Sequence, residues 1–237
     1  MKFDLHIHSS KSYDSFMSVE DIIQAAVRKN ISGIAITDHG EFNRDAMQIK
    51  SDSNNIIIIN GSEIYTEIGD IIGLFLVKPL KSSDAESLID EIHDQGGIAV
   101  LAHPFKRIVN YPNKIIKKLD AVEVINSRWK NLDNYRSDPR VDELLSNVKG
   151  RTAGSDAHYL FEIGRAYLST PKIDSIDDLK KVICNGDGVV HSLHYSAWPD
   201  IASQVNKFIK KPSMKQFIRI FYYTLQKVFS VGKKGTF

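Results

Sequence analysis

The chain has 237 residues, of which 42% are hydrophobic and 25% are charged, a composition that is ordinary for a soluble globular protein. Its single cysteine, Cys184, excludes an internal disulfide framework and a cysteine-based metal site, so any bound metal must use histidine and carboxylate ligands. The longest apolar run, residues 71–77, is far shorter than the ~20 residues of a membrane-spanning helix, and the N-terminus lacks an apolar core of signal-peptide length. We therefore expect a cytoplasmic protein.

The charge is divided unevenly along the chain. Residues 201–237 contain eight of the 31 Lys and Arg residues and none of the 29 Asp and Glu residues. The net charge of +2 therefore combines a basic tail with a body, residues 1–200, whose net charge is −6. This asymmetry suggests an anionic partner for the tail.

Apolar segments of strand length recur along the chain, with amphipathic helical segments between many of them. One helix is predicted to begin at Ser18 and to end at Asn30, and another begins at Ser83-Asp84 and ends before Gly96. Further helical segments cover about 132–147 and 175–185. This alternation favours parallel strands with helices outside them. The strand candidates are residues 2–8, 33–37, 55–60, 71–77, 97–102, 120–126, 150–154, 165–170 and 187–191.

The tail predicts one more helix, which begins at Pro212-Ser213 and ends near Gly232. Its apolar residues have helical spacing, and they are Met214, Phe217, Ile218, Phe221, Leu225, Val228 and Phe229. Such a helix packs against the body of the protein or a second subunit, or it lies on an anionic membrane surface. Contact with nucleic acid is a third, less favoured interpretation.

Side chains that suit metal binding lie at the ends of the strand candidates. His6 and His8 close the first strand, and the strand period of two directs both rings to one side. In a parallel α/β barrel the C-terminal strand ends meet at one face, so these side chains are predicted to form one site. Histidine and carboxylate together suit zinc, manganese or iron. The other members are Asp38 and His39, Glu63, His103, Asn126, and Asp156 and His158.

Five short motifs contain most of these residues, in the order Asp4-Leu5-His6-Ile7-His8-Ser9, Thr37-Asp38-His39-Gly40, Gly61-Ser62-Glu63-Ile64, Ala102-His103-Pro104 and Gly154-Ser155-Asp156-Ala157-His158. They resemble, in order, the motifs of the PHP superfamily (polymerase and histidinol phosphatase domains). The resemblance spans about residues 1–195 and implies a distorted (β/α)7 barrel, an α/β fold, with residues 196–237 as a basic amphipathic C-terminal helical extension. It also implies two or three divalent metal ions and a phosphate ester as substrate.

The resemblance also implies a set of metal ligands. Asp70 lies near a position where many members have a histidine, so the protein would hold the second metal with fewer ligands or more weakly. The implied ligands are His6, His8, Glu63 and Asp156 for one metal, Glu63 and His103 for a second, and Asp14, His39 and His158 for a third.

Two acidic residues are candidates for catalysis. Glu63 is the predicted bridge between two metals, a role that needs a carboxylate with two oxygens. Asp38 either orients its neighbour His39 or takes a proton from water.

Phosphate recognition requires cations near the site. The candidates for substrate binding are Arg128, Arg165 and Arg107, with Lys106 beside the last. Arginine is preferred because its fork binds phosphate through two hydrogen bonds. His93, His191 and His194 are interpreted as structural, although the last two could touch the rim of the site.

We therefore predict a metal-dependent phosphoesterase, a hydrolase that acts on a small phosphorylated metabolite or nucleotide. A nucleotide phosphodiesterase or short-oligonucleotide nuclease is a close alternative, and a histidinol-phosphatase-like monoesterase is less favoured. A different class also stays open, namely a non-catalytic metal-binding regulatory module that is recruited through the basic tail.

Overall fold

The computed structural model describes residues 1–48, 56–106, 111–128, 139–193 and 198–231. All nine predicted strand segments form strands, and the helices predicted within these ranges are present. The strands are β1 (Lys2–Ile7), β2 (Gly33–Ile36), β3 (Ile57–Thr66), β4 (Gly69–Leu74), β5 (Ile98–Leu101), β6 (Ala121–Asn126), β7 (Gly150–Gly154), β8 (Ala166–Ser169) and β9 (Val189–Ser192). The helices are α1 (Val19–Arg28), α2 (Arg44–Gln48), α3 (Ala85–His93), α4 (Asn113–Ile116), α5 (Pro139–Asn147), α6 (Ile176–Asn185), α7 (Trp198–Lys210) and α8 (Met214–Val231).

Local sequence signals define the ends of several helices. Ser18 and Ser175 accept hydrogen bonds from the backbone three residues later, at 3.1 Å in each case, and thereby cap α1 and α6. Asp84 caps α3 in the same way. Asn30, just beyond α1, has a φ of 55°, and Gly186, which ends α6, has a φ of 73°. Both lie in the left-handed region that commonly ends helices.

The strands form one sheet in the order β7-β6-β5-β4-β3-β2-β1-β8-β9. Beyond β7 the chain returns to β1, where Ala157 forms a parallel bridge with Ile7. The backbone N–H of His8 donates to the carbonyl of Ala157 at 2.9 Å, and that of Asp156 donates to the carbonyl of His6 at 2.8 Å. These bonds bring the two ends of a seven-stranded sheet together. The predicted distorted barrel is therefore confirmed, with the β8–β9 hairpin added at β1.

Two strands, β4 and β8, run against the predicted direction, and β8 is antiparallel to both β1 and β9. β4 is antiparallel to both β3 and β5, because the chain turns back between Thr66 and Gly69, where φ is 107°. The expectation of parallel strands is therefore wrong for β4 and for β8. The first residues of β4, rather than its last, lie beside the C-terminal ends of the parallel strands, which we call the mouth of the barrel. Asp70 is consequently brought to the mouth by the start of a strand.

Three apolar clusters hold the barrel together. α1 packs on β1 and β2 through a cluster that includes Ile22, Ile23 and Ile34. A second cluster joins α3, α4 and α5 to the strands from β4 to β7. The third contains residues from β1 to β6 and β8, because a curved, nearly closed sheet brings the side chains of many strands together. It contains Phe3, Leu5, Ala35, Ile59, Ile72, Leu74, Ile98, Val100, Ala121 and Leu168.

The C-terminal extension contains two helices rather than the one predicted. α7 contacts the barrel through polar side chains: Asn206 donates to the carbonyl of Asp14 at 3.1 Å, and Arg128 donates to Ser203 Oγ at 2.6 Å. α8 follows, with Phe208 and Phe217 packed ring to ring at 6.2 Å between centroids. Within the described ranges, no helix is both long and apolar enough to cross a membrane.

Candidate metal centre

The structure brings all eight predicted metal ligands together at the mouth of the barrel. All but His39 are buried, with exposed fractions of 6% or less. They come from β1, the loop after it, β3, and the ends of β2, β5 and β7. They are His6, His8, Asp14, His39, Glu63, His103, Asp156 and His158.

The first group of ligand atoms joins β1 to the segment after β7. His6 Nε2 and His8 Nε2 lie 3.0 Å apart. Asp156 Oδ1 lies 3.7 Å from the former and 3.2 Å from the latter. Because metal–nitrogen and metal–oxygen bonds are ~2.1 Å long, neighbouring ligands of one cation lie ~3.0–3.4 Å apart. Two of the three distances fall within this range and the third, 3.7 Å, lies just above it, so these side chains are placed to share a single cation.

Glu63 lies between the groups, with its two oxygens facing different histidines. Oε1 is 2.9 Å from His103 Nε2, whereas Oε2 is 3.5 Å from both His6 Nε2 and His8 Nε2. Oε2 is also 2.8 Å from His39 Nδ1. Glu63 was expected just beyond a strand, but it lies within β3, opposite Ile72 of the antiparallel β4. A carboxylate in this position can bridge two cations.

The remaining predicted ligands form a group on the other side of His8. The nitrogens of His8, His39 and His158 lie within 4.8 Å of one another. Asp14 Oδ2 is 3.5 Å from His39 Nε2, and its Oδ1 is 3.1 Å from His158 Nε2. The loop that follows β1 thus brings Asp14 to a place where it can share a cation with two imidazoles.

Asp70 extends the group that contains His103. Its Oδ2 lies 3.7 Å from His103 Nε2, and its residue is 7% exposed. His6, Glu63 and His103 already form a set of mutually close ligand atoms. The reversed direction of β4 therefore places a further carboxylate beside this set.

The charges of the cluster depend on one another. Burial lowers the pKa of His39, but the carboxylates of Glu63 and Asp14 outweigh it and raise that pKa to about 10. His6 behaves likewise, because Glu123, Asp156 and Glu63 raise its pKa well above its usual value against the effect of burial. These two imidazoles therefore carry protons at neutral pH.

The other members of the cluster shift in the complementary direction. Burial, together with repulsion from His39 and His158, lowers the pKa of His8 to about 3. Burial alone would raise the pKa values of Glu63 and Asp156, but the neighbouring histidines lower both well below their usual range. The cluster therefore combines ionised carboxylates with protonated imidazoles, and a cation could replace those protons.

The residues present fit divalent cations. Glu63 Oε2 and Asp14 Oδ1 are buried, and none of the described residues gives either oxygen a well-formed hydrogen bond. A buried carboxylate oxygen without a well-formed hydrogen bond is costly unless a positive charge, either a protonated imidazole or a metal cation, lies beside it. Five imidazoles and three carboxylates suit zinc, manganese or iron better than calcium, which prefers oxygen ligands alone.

Glu123 is a functional residue that sequence reasoning missed. Its Oε1 lies 2.9 Å from His6 Nδ1, and its Oε2 accepts from the backbone N–H of His103 at 2.8 Å. A carboxylate on the second nitrogen of a metal-binding histidine fixes the tautomer and orientation of the ring. The available signal was a buried acid within the apolar strand Ala121–Asn126.

Asp38 lies behind the ligands rather than among them. Its oxygens accept hydrogen bonds from the backbone N–H and hydroxyl of Ser9, both at 2.6 Å, and from the hydroxyl of Ser12 at 2.7 Å. Ser12 Oγ in turn lies 3.1 Å from His8 Nδ1 and accepts from the backbone N–H of His39 at 3.1 Å. Of the two roles expected for Asp38, this geometry favours the orientation of histidine ligands.

The backbone is unusual at two predicted ligands. His103 and Asp156 have positive φ values of 25° and 54°, which cost free energy in residues other than glycine and are common at functional sites. Gly154 permits the close approach of β7 to β1, since a Cβ at this position would lie 2.2 Å from that of His6. The turn after β7 is thereby held against β1.

The predicted phosphate-binding arginines have other positions. Arg128 forms a buried two-point ion pair with Glu162, at 2.9 and 2.7 Å, which argues against its binding substrate. The guanidinium of Arg165 lies over the ring of Phe161, 5.2 Å from its centroid. Arg107 lies outside the described residues. Lys106 does reach the site, with Nζ 3.9 Å from Asp156 Oδ2.

Two histidines outside the motifs have local structural partners. His93 Nε2 lies 2.7 Å from Asp120 Oδ2, and His191 Nε2 lies 2.8 Å from Ser169 Oγ. These contacts agree with the structural role expected for both. His194 lies outside the described residues.

Comparisons with known proteins identify relatives of the whole barrel. A family model described as PHP domain matches residues 4–210. An uncharacterized protein of Methanocaldococcus jannaschii is 32% identical over 194 residues, which cover 76% of this chain and 75% of that protein. A probable phosphatase of Caldicellulosiruptor bescii is 21% identical over 223 residues, covering 78% of this chain and 91% of that protein.

A solved structure shows the same fold. A two-domain protein of Bacteroides vulgatus, containing a predicted PHP-like metal-dependent phosphoesterase, superimposes with a TM-score of 0.60 and 18% identity. The match covers 81% of this chain and 64% of that one, so this chain spans less than two thirds of its length. The probable phosphatase among these relatives belongs to the enzyme class that the sequence predicts. As the motifs indicated, the chain belongs to the PHP domain family.

Proposed function

We propose that this protein is a metal-dependent hydrolase of phosphate esters, which acts on a small phosphorylated metabolite or nucleotide. The observation that carries the proposal is the position of Glu63, whose two oxygens face His103 on one side and His6, His8 and His39 on the other. A purely structural site has no need of a buried carboxylate between two sets of imidazoles. Family membership and the probable phosphatase among the relatives support the same enzyme class.

The proposed centre contains two or three divalent ions of manganese, zinc or iron. Glu63 is the shared ligand of the first two ions. The ligands of the first are His6, His8, Glu63 and Asp156, those of the second are Glu63 and His103, and those of the third are Asp14, His39 and His158.

Divalent cations in such a centre supply a hydroxide nucleophile near neutral pH and stabilise charge on the phosphoryl group. The chain's own residues do the remaining work. Glu123 holds the ring of His6, and Asp38 acts through Ser12 on the ring of His8. Burial of the ligands excludes water and strengthens each electrostatic interaction in the site.

Three alternatives differ from this proposal in substrate or in class. A nucleotide phosphodiesterase or oligonucleotide nuclease would use the same ligands on a diester. A histidinol-phosphatase-like monoesterase is less favoured, because Asp70 occupies the place near which many such proteins have a histidine. A non-catalytic regulatory module would bind the metals without turnover.

One screen separates these functions. Protein stripped of metal is reconstituted with manganese, zinc or iron and assayed on nitrophenyl phosphomonoesters and diesters, histidinol phosphate, nucleotides and short oligonucleotides. We expect turnover with at least one metal, and the preferred bond distinguishes monoesterase from diesterase. Stoichiometric metal binding without turnover on any of these substrates would identify the regulatory module instead.

We also propose that α8 lies on an anionic membrane surface, at the cytoplasmic face. Five large apolar side chains on this helix are exposed by more than half, namely Met214, Phe217, Ile218, Phe221 and Tyr222. Lys215 and Arg219 are exposed beside them, and residues 201–237 contain no acidic residue. A basic helix with an exposed apolar face complements anionic lipid in both charge and apolar surface. Co-sedimentation with vesicles that contain phosphatidylserine measures this contact directly.

A further inference from the structure

α7 brings a lysine to the predicted metal ligands. Lys207 Nζ lies 3.1 Å from Asp14 Oδ2 and 4.9 Å from the centre of the Tyr13 ring. Its side chain is 19% exposed, so the ammonium group is largely enclosed but still reaches solvent. An element from outside the seven-stranded barrel therefore contributes a cation to the site.

The position of Lys207 is fixed by the contacts of its neighbours on α7. Asn206 donates to the carbonyl of Asp14 at 3.1 Å, and Lys210 donates to the carbonyls of Ser10 and Ser12 at 2.8 and 2.7 Å. These contacts hold the helix against the loop that carries Asp14. Lys207 therefore lies at the site because α7 is bound there.

Lys106 occupies the equivalent place at the other end of the cluster. Its Nζ lies 3.9 Å from Asp156 Oδ2, and its side chain is 37% exposed. His158 connects the two ends, because its Nε2 is 3.1 Å from Asp14 Oδ1 and its Nδ1 is 3.6 Å from Asp156 Oδ1. Two ammonium groups thus flank one row of predicted ligands.

Once cations bind the row formed by Asp14, His158 and Asp156, both lysines need another anion as a partner. A divalent cation on Asp14 or Asp156 takes up much of the carboxylate's negative charge and repels the nearby ammonium. A phosphoryl group is the anion that the proposed reaction brings to this place. Arg128, one of the three arginines expected to bind phosphate, is already paired with Glu162 in the interior.

We propose that Lys106 and Lys207 form a phosphate clamp, which grips the phosphoryl oxygens of the substrate from opposite ends of the metal site. The clamp rests on the proposed function and gives α7 a specific part in it. Long, flexible side chains with a single charge suit this task, since each can follow the phosphoryl group between substrate and product.

The test is a calorimetric titration of the metal-loaded protein with inorganic phosphate, together with measurement of metal content. Lys106→Met and Lys207→Met are compared with Lys117→Met and Lys211→Met, which change exposed lysines on α4's C-terminal side and just beyond α7. Each clamp variant should weaken phosphate binding by about 10-fold or more, as expected for a lost charge-assisted hydrogen bond. Metal content and the two control variants should stay at the wild-type level.

Other outcomes overturn the clamp. If Lys207 only neutralises Asp14, Lys207→Met changes metal content or melting temperature and leaves phosphate affinity intact. Lys106→Met, in a separate loop, keeps the proposal testable should Lys207→Met fail to fold. If the wild-type protein hydrolyses phosphate esters and both variants bind phosphate with wild-type affinity, the clamp is rejected and the proposed function stands. A wild-type protein that binds phosphate through both lysines without turnover would instead reject the proposed function.

Discussion

Glu123 Oε1 lies 2.9 Å from His6 Nδ1, so a buried carboxylate holds the ring whose other nitrogen faces His8 and Glu63. We expect Glu123→Gln to weaken metal binding by about 10–100-fold, because the ring loses the acceptor that fixes its tautomer. Competition with a coloured chelator measures the affinity. Glu20→Gln, on the exposed face of α1, is the matched control and should leave the affinity unchanged. Equal affinities in all three proteins would deny Glu123 this orienting role.

Substitution of Glu63 by glutamine should remove most of the activity. Glutamine keeps the shape of the side chain but loses the charge that a bridging ligand needs, so turnover should fall by ~100-fold or more. His93→Ala is the comparison, because its half-exposed pair with Asp120 contributes about 1 kcal/mol or less to the free energy of unfolding. Steady-state assays on the best substrate compare the two variants. If His93→Ala proved as damaging as Glu63→Gln, the site would be misplaced.

The strand pattern could be predicted from sequence because apolar runs and turn residues are local signals. The ligands on β1, β2, β5 and β7 follow from those runs, since a strand's C-terminal end can be located from sequence. The direction of β4 is not a local property of residues 69–74, and this is why the approach of Asp70 to His103 and the position of Glu63 within β3 were not predicted. The turn between Thr66 and Gly69 was the only sequence hint.

Contacts between segments that are distant in sequence could not be predicted from local sequence patterns. Arg128 pairs with Glu162, 34 residues away, and a charged group expected to bind phosphate is thereby buried. Lys207 meets Asp14 across most of the chain. Glu123 was not predicted because a single acidic residue within a short apolar strand produces no repeating pattern that would indicate its role. Such partners emerge only when the barrel closes.

Metal uptake should release protons near pH 7. Both His39, with a pKa of about 10, and His6, whose pKa is also raised, are protonated in the metal-free protein, and each must lose its proton to bind a cation. Affinity should therefore increase with pH across the neutral range. A pH indicator in weakly buffered solution counts the protons, and His39→Gln should release about one fewer per chain than the wild type. Uptake without any change in pH would contradict the assigned charges.

Removal of residues 212–237 should separate the tail from the catalytic centre. The cut deletes α8 but keeps α7 and Lys207, so metal content and activity on small substrates should persist. Binding to anionic vesicles should disappear, and in the intact protein it should weaken as salt rises.

Other results of the truncation would assign α8 a different partner. If the intact protein does not bind vesicles at any salt concentration, and the truncated protein aggregates, α8 packs on the barrel. Loss of self-association on truncation indicates a second copy of the chain, and loss of oligonucleotide binding indicates nucleic acid. Any of these results, without vesicle binding by the intact protein, would end the membrane proposal.

The most direct test of the central claim is the metal content of the protein. Five histidines, together with Glu63, Asp14 and Asp156, offer more ligands than one cation needs. Elemental analysis of protein purified without chelator, and again after reconstitution, should find at least two divalent ions per chain. Fewer than one per chain after reconstitution would contradict a metal centre at the mouth of this barrel.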